Sequence, residues 1–217
     1  MGTYDPHSEP PPKFDRPMEE IVSTFRHQQD DDDCYVCALG SVMEEFGQRL
    51  GFEFAPTRPL MKDLTGYTKG SGSRSQKVGV NTNQYLRRRG LNRSVAVKET
   101  QGSDSSIASL VAVCNDNRTS LPLVGVGPGY WKLQRHLDVK GTSDMDHVLI
   151  VLKASATEIL YFCPASSPTS ANSLHTMTTV DFSRIWKEVY IDPNWMLWLA
   201  LSGETPPLEA WAGGRKQ

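Results

Sequence analysis

The stretch QQDDDDCYVCALGSVMEEFG, residues 28–47, decides how this chain is read. Val36, Leu39, Val42, Met43 and Phe46 recur at the three- and four-residue steps of an amphipathic helix that begins at Cys34. Asp33 is a good N-cap, and its acidic neighbours put negative charge at the positive end of that helix. Gly47 and Gly51 supply the stop. A cysteine in the first turn has a chemical meaning. Unpaired backbone N–H groups and the helix dipole stabilise a thiolate there, and the thiolate is the attacking form of the residue.

Beyond the helix the pattern changes period. His147-Val148-Leu149-Ile150-Val151-Leu152 is the strongest strand signal, and Glu158 to Phe162 is a second strand after a turn at 153–157. Strands are also expected over 94–98, 121–126 and 195–201. Helices are expected over 105–114 and 179–189, with a short one from Asn81 or Thr82 through Arg88. Residues 66–76, GYTKGSGSRSQ, read as a flexible loop. Helices first and mostly antiparallel strands afterwards make the fold class α+β. The polar, proline-rich residues 1–17 are expected to be a disordered arm, with order beginning at Glu20-Ile21-Val22. One domain then spans 18–202, and 203–217 is a C-terminal tail.

Composition narrows the function classes. With 217 residues and 24.2 kDa, the chain has room for one domain of ordinary size. Its 23 Lys and Arg balance 25 Asp and Glu to a net charge of -2, so no electrostatic argument favours nucleic acid or an anionic membrane. The longest apolar run, Trp195 to Leu201, falls far short of the ~20 residues of a spanning helix. The first residues hold no apolar signal segment, which predicts a cytoplasmic protein or one exported without a cleavable signal peptide. Four cysteines are too few for a disulfide scaffold, so a reducing compartment is the default.

Three residues form a chemical set. A helix-start Cys34, a strand-start His147 and a preceding Gln28 suit an arrangement in which the imidazole takes the thiol proton. The Gln28 amide, with a backbone N–H, would then stabilise the tetrahedral oxyanion. Gln28-x5-Cys34 and the helix YVCALGSVMEEFG resemble the opening of papain-fold cysteine peptidases. The likeness is to the bacteriocin-leader (double-glycine) peptidase group and to staphopain-like effector proteases of plant-pathogenic bacteria. HVLIVLKASATEILYF followed by Cys163-Pro164 resembles their histidine hairpin, and Asp181-Phe182-Ser183-Arg184-Ile185-Trp186 a later Phe-x3-Trp segment.

The resemblance implies a papain-like fold, with an N-terminal helical half whose nucleophile helix packs on an antiparallel sheet carrying the histidine. It implies hydrolysis of a peptide or protein substrate through a thioester on Cys34, with His147 as base and then acid and no metal or organic cofactor. The Cys34 helix would line one side of a cleft and the strands the other. Cys163 departs from the pattern, because the family places an orienting Asp or Asn there. Three explanations compete: a Cys-His dyad suffices, another acid such as Asp144 or Asp146 substitutes, or activity has been lost. The alternatives are therefore a catalytically impaired binding module of the same fold, or a papain-fold acyltransferase or cell-wall amidase.

The remaining motifs read more plainly. Cys37 is a core residue, and Gln29 replaces Gln28 if the loop is one residue shorter. The carboxylates at 30–33 either raise the Cys34 pKa or select a basic substrate residue. The segment 127–145, with Trp131 and Arg135, is expected to be a substrate-contact loop, and Trp131, Trp186, Trp195 and Trp198 read most simply as core or cleft-wall aromatics. Cys34-Tyr35-Val36-Cys37 matches a redox C-x-x-C but follows an acidic loop instead of an apolar strand. Half a zinc site finds no second half, since Cys114, His136 and Cys163 lack ligand-like spacing. GVGPG at 125–129 lacks the Lys-Ser/Thr and the following helix of a phosphate loop, and reads as a turn.

Overall fold

Alternation along one strand, β3 (His147–Ala154), divides the molecule into two packed faces. Val148, Ile150 and Leu152 point into one apolar cluster, and Leu149 and Val151 into another. The protein is described by a computed structural model covering residues 9–30, 32–73, 75–133, 146–166, 174–189 and 192–202. Its helices are α1 (Met18–Ser23), α2 (Cys34–Leu50), α3 (Arg58–Thr65), α4 (Ser75–Arg88), α5 (Ile107–Asn115), α6 (Gly129–Leu133) and α7 (Thr179–Lys187). The other strands are β1 (Val95–Thr100), β2 (Leu123–Val126), β4 (Glu158–Phe162), β5 (Leu174–Thr178) and β6 (Met196–Leu201). They form one six-stranded sheet in the order β1-β6-β2-β3-β4-β5, antiparallel at every step. The fold is α+β, as the order of elements predicts.

On the first face lies α2, whose Leu39, Val42, Met43 and Phe46 are fully buried. Each such side chain contributes about 1.5–3 kcal/mol of transfer free energy. The helix runs a turn further than its apolar pattern predicts and ends at Gly51, which is left-handed at φ 77°. α5 and α7 cover the opposite face with Leu110, Phe182, Ile185 and Trp186. The Phe-x3-Trp segment is therefore core: the Phe182 and Trp186 rings lie 5.2 Å apart, and the Trp186 indole donates to the Trp195 carbonyl at 2.9 Å.

Several elements differ from the expectation. α4 begins at Ser75 rather than Asn81 or Thr82, so the end of the Gly/Ser-rich segment is helical. α3, α6 and β5 are additional. The strap before α1 is packed: Lys13 is 3% exposed and donates from Nζ to the Val113 and Cys114 carbonyls and to Thr119 Oγ1, closing the C-terminal end of α5. Arg49, paired at 2.8 Å with the buried Glu45, reaches the carbonyls of Pro11, Asn117 and Thr119. Residues 9–17 of the expected disordered arm are thus held by two buried cations. Residues 1–8 and the tail 203–217 lie outside the described residues. Among the described residues, no helix is long and apolar enough to cross a membrane.

Candidate active site

Cys34 is the first residue of α2, and His147 the first of β3. The helix begins at the end of the sheet where β3 starts, so the backbone N–H of Val148, next to the histidine, favours the Cys34 thiolate. The imidazole leaves β3 toward the α5/α7 face, where its ring stacks on Tyr130 at 5.4 Å and leans on Trp131 at 4.7 Å. Cys34 and His147 therefore lie at one end of the sheet, on its two sides. Among the described residues, no hydrogen bond joins the Cys34 thiol to the His147 ring.

The third partner of the imidazole is defined. His147 Nε2 lies 3.3 Å from the Cys163 sulfur, which leaves Nδ1 as the ring's other nitrogen. Cys163 follows β4 immediately and is fully buried. The N–H groups of Ala165 and Ser166 and the Ser166 hydroxyl turn toward its sulfur. The Tyr130 hydroxyl stands beside the same sulfur without a well-directed hydrogen bond. The Cys163 position thus carries the contact expected of the orienting residue. Asp144, the first alternative acid, lies outside the described residues, as do His136 and Arg135; Asp146 is described and directly precedes β3.

The loop carrying Gln28 is stapled to the same corner. The Gln28 N–H donates to the Pro164 carbonyl at 2.8 Å, His27 Nδ1 lies 2.7 Å from the Ser166 carbonyl, and the His27 ring meets Phe162 edge-on at 5.2 Å. Gln28, Cys34, His147 and Cys163 therefore share one end of the sheet. The Gln28 amide donates to the Asp30 carbonyl at 3.2 Å. Serving an oxyanion requires it to leave that bond.

Burial dominates the protonation states. It pushes the Cys34 thiol up to about 12, outweighing the Val148 N–H that favours the thiolate, although Cys34 as a whole residue is partly exposed. It pushes His147 down to about 3. Burial therefore opposes the helix end, which favours a thiolate, and favours a neutral thiol and a neutral imidazole in the resting site. Proton transfer then accompanies attack instead of preceding it.

Of the two expectations for the acidic loop, the first holds in direction, since Asp32 adds to the rise of the Cys34 pKa. Asp30 pairs with Arg58 at 3.2 Å and Lys62 at 3.5 Å, and the fully buried Asp33 bonds to Arg58. Asp33 occupies the N-cap position of α2 without capping it, because Arg58 claims its carboxylate. Asp32 accepts from the Tyr67 hydroxyl at 2.8 Å and the Gly72 N–H at 3.3 Å. These carboxylates tie α2 to α3 and the following loop, so they are not displayed for a basic substrate residue. Asp31 lies outside the described residues.

Cys37 is core, as expected, donating its thiol toward the His27 carbonyl at 3.3 Å; both C-x-x-C thiols are free. Among the described residues, no three His, Cys, Asp or Glu side chains gather to hold a metal ion. GVGPG ends β2 and opens α6, so a short helix does follow it, against the expectation; a Cβ on Gly127 would lie 2.6 Å from the Glu188 backbone, and Gly129 donates to the Glu188 carboxylate at 3.1 Å. That close approach sets α6, and with it Tyr130 and Trp131, against His147. Of the loop 127–145, residues 134–145 lie outside the described residues. Tyr130, Ser166 and His175 are the site's unforeseen members. Only the position of Ser166, three residues after Cys163, pointed to any of them.

No family model matches the chain, and no curated protein does. Solved structures do. One similar structure is a double glycine motif protease from an AMS/PCAT transporter in complex with the leader peptide, at 11% identity, covering 82% of this chain and 89% of that one with a TM-score of 0.47. Another is the peptidase domain of Streptococcus ComA, a bifunctional ABC transporter involved in a quorum-sensing pathway, at 14% identity over 81% of this chain and 96% of that one, again with a TM-score of 0.47.

Proposed function

We propose that this chain is a papain-like cysteine peptidase that hydrolyses a peptide or protein substrate. Cys34 is the nucleophile, His147 the general base and then acid, and Gln28 the side-chain donor to the oxyanion. One observation carries the reading. The imidazole of His147 is held through Nε2 by Cys163 at 3.3 Å, at the end of the sheet where Cys34 opens α2, leaving Nδ1 for the thiol proton. Attack of the sulfur on the carbonyl carbon moves the thiol proton to Nδ1, and the imidazolium returns it to the leaving amine. Water then resolves the thioester by the same route. Positioned base catalysis of this kind contributes about 10²–10⁴-fold, and a side-chain oxyanion donor about 10²–10³-fold.

The test is acylation by an electrophilic peptide probe. Wild-type protein should label at Cys34, and Cys34→Ala should lose labelling while keeping its melting transition. Undiminished labelling of Cys34→Ala overturns the assignment. The neutral resting pair and the thiol in the orienting position favour a second reading, a binding module of the same fold. It predicts no labelling of the folded wild-type protein at any pH that preserves the fold.

A further inference from the structure

Cys163 differs from an orienting Asp or Asn in one respect that matters for a base. A carboxylate or amide oxygen only accepts a hydrogen bond, so it fixes the ring proton on the nitrogen facing it. A thiol both donates and accepts. If the Cys163 S–H pointed at His147 Nε2, the ring proton would sit on Nδ1 and the base would be blocked. Something must draw the thiol hydrogen away from the ring.

The structure supplies an acceptor. Ser166 closes the turn after β4, with its N–H donating to the Cys163 carbonyl at 3.0 Å, which brings its hydroxyl into the electrostatic neighbourhood of the Cys163 sulfur. Ser166 Oγ lies 2.7 Å from Nε2 of His175 on β5. β5 is fixed in register with Tyr161 opposite His175, and their rings are 5.5 Å apart. Cys163, Ser166 and His175 are all buried. Burial favours the neutral form of both ends, a protonated thiol and an uncharged imidazole. A neutral His175 can offer Nε2 as a bare acceptor, and the chain then has one self-consistent direction. His147 Nε2–H donates to Cys163, the Cys163 S–H to Ser166, and the Ser166 O–H to His175.

Resting on the peptidase reading for its catalytic meaning, we propose that Ser166 and His175 are positioning residues: they accept the Cys163 thiol hydrogen by relay, which keeps the His147 proton on Nε2 and leaves Nδ1 bare to receive the proton of Cys34. The relay lets a neutral cysteine do the work of an asparagine. It also explains the polar His175 at an otherwise apolar register position beside Tyr161.

The experiment pairs ¹⁵N NMR of the His147 ring with the rate of iodoacetamide alkylation at Cys34, located by mass spectrometry, at pH 7. The variants are Ser166→Ala, Cys163→Asn, and the two together. In the wild type, Nδ1 should resonate as an unprotonated nitrogen and Nε2 as a protonated one. Ser166→Ala should shift this toward the opposite tautomer and slow Cys34 alkylation by about 10-fold or more, within the range a positioned base supplies. Cys163→Asn has no S–H to divert, so adding Ser166→Ala to it should change neither readout more than about twofold, whereas a merely structural role for Ser166 would penalise both backgrounds alike. An Nδ1-protonated ring in the wild type, or a Ser166→Ala protein with wild-type tautomer and rate, overturns the relay. The ring signals need no peptidase activity, so a protein with the expected tautomer but an unreactive Cys34 refutes the peptidase reading and leaves the relay standing.

Discussion

His147 Nε2 and the Cys163 sulfur meet at 3.3 Å across the open end of the β3–β4 hairpin. The contact reproduces an orienting interaction with the weakest polar partner available, a thiol. Hydrogen bonds to a charged acceptor are worth about 1.5–3 kcal/mol against about 1 kcal/mol for neutral ones. The backbone N–H groups of Ala165 and Ser166 beside the sulfur are donors that suit a carboxylate.

Replacing Cys163 by Asp should therefore strengthen the imidazolium formed during attack. The expected result is an increase of about fivefold in the rate of Cys34 alkylation at pH 7, matching roughly 1 kcal/mol. Cys163→Ala should lower the rate. Both are read by mass spectrometry of the alkylated protein.

Acid should unfold the protein through its histidines. His147 falls from 6.5 to about 3 in the folded state because burial penalises the charged ring, and His175 shifts in the same direction. The unfolded chain then binds protons that the native state refuses. Stability is complete above pH 6.5 and declines as the pH drops toward 3, by on the order of 4 kcal/mol from His147. Urea titrations at pH 7, 5 and 4 measure the slope, and His147→Gln should flatten it.

Arg58 neutralises the buried Asp33 at the foot of the nucleophile helix. Arg58→Met leaves that carboxylate buried and uncompensated, at a cost of about 3–5 kcal/mol. The double variant Arg58→Met with Asp33→Asn should recover most of the loss, and chemical denaturation of the four proteins forms the cycle.

Gly127 sits where a Cβ would strike the Glu188 backbone at 2.6 Å. Gly127→Ala should cost about 1–3 kcal/mol as α6 shifts. Because α6 carries Tyr130 and Trp131 onto the imidazole, the same variant should slow Cys34 alkylation. Thermal melting and the alkylation rate read the two effects separately.

The elements that carry the candidate site were legible because each has a strong local pattern. The apolar stripe from Val36 to Phe46 forms α2, and the run His147–Leu152 forms the buried strand β3. β5, LHTMT, was not legible: it is an edge strand with only His175 buried, so no apolar alternation marks it. α3 is short and depends on a Thr57 cap and a stripe of Met61, Leu64 and Thr65. The strap at 9–17 reads as disordered by composition because its anchors are polar: Lys13 and Arg49 hold it through carbonyls that no sequence pattern reveals. The same holds within the site. Cys34 and His147 sit at element starts and Gln28 in the loop just before α2, whereas Tyr130 and His175 reach the corner only through tertiary packing.

The most direct test of the Cys34–His147 pair is to map the adduct of an electrophilic peptide probe in wild-type and His147→Gln proteins of equal melting temperature. The account predicts a single adduct on Cys34, formed at least about 100-fold more slowly once the imidazole is gone. An adduct on Cys37, Cys114 or Cys163, or equal Cys34 rates in the two proteins, would contradict it.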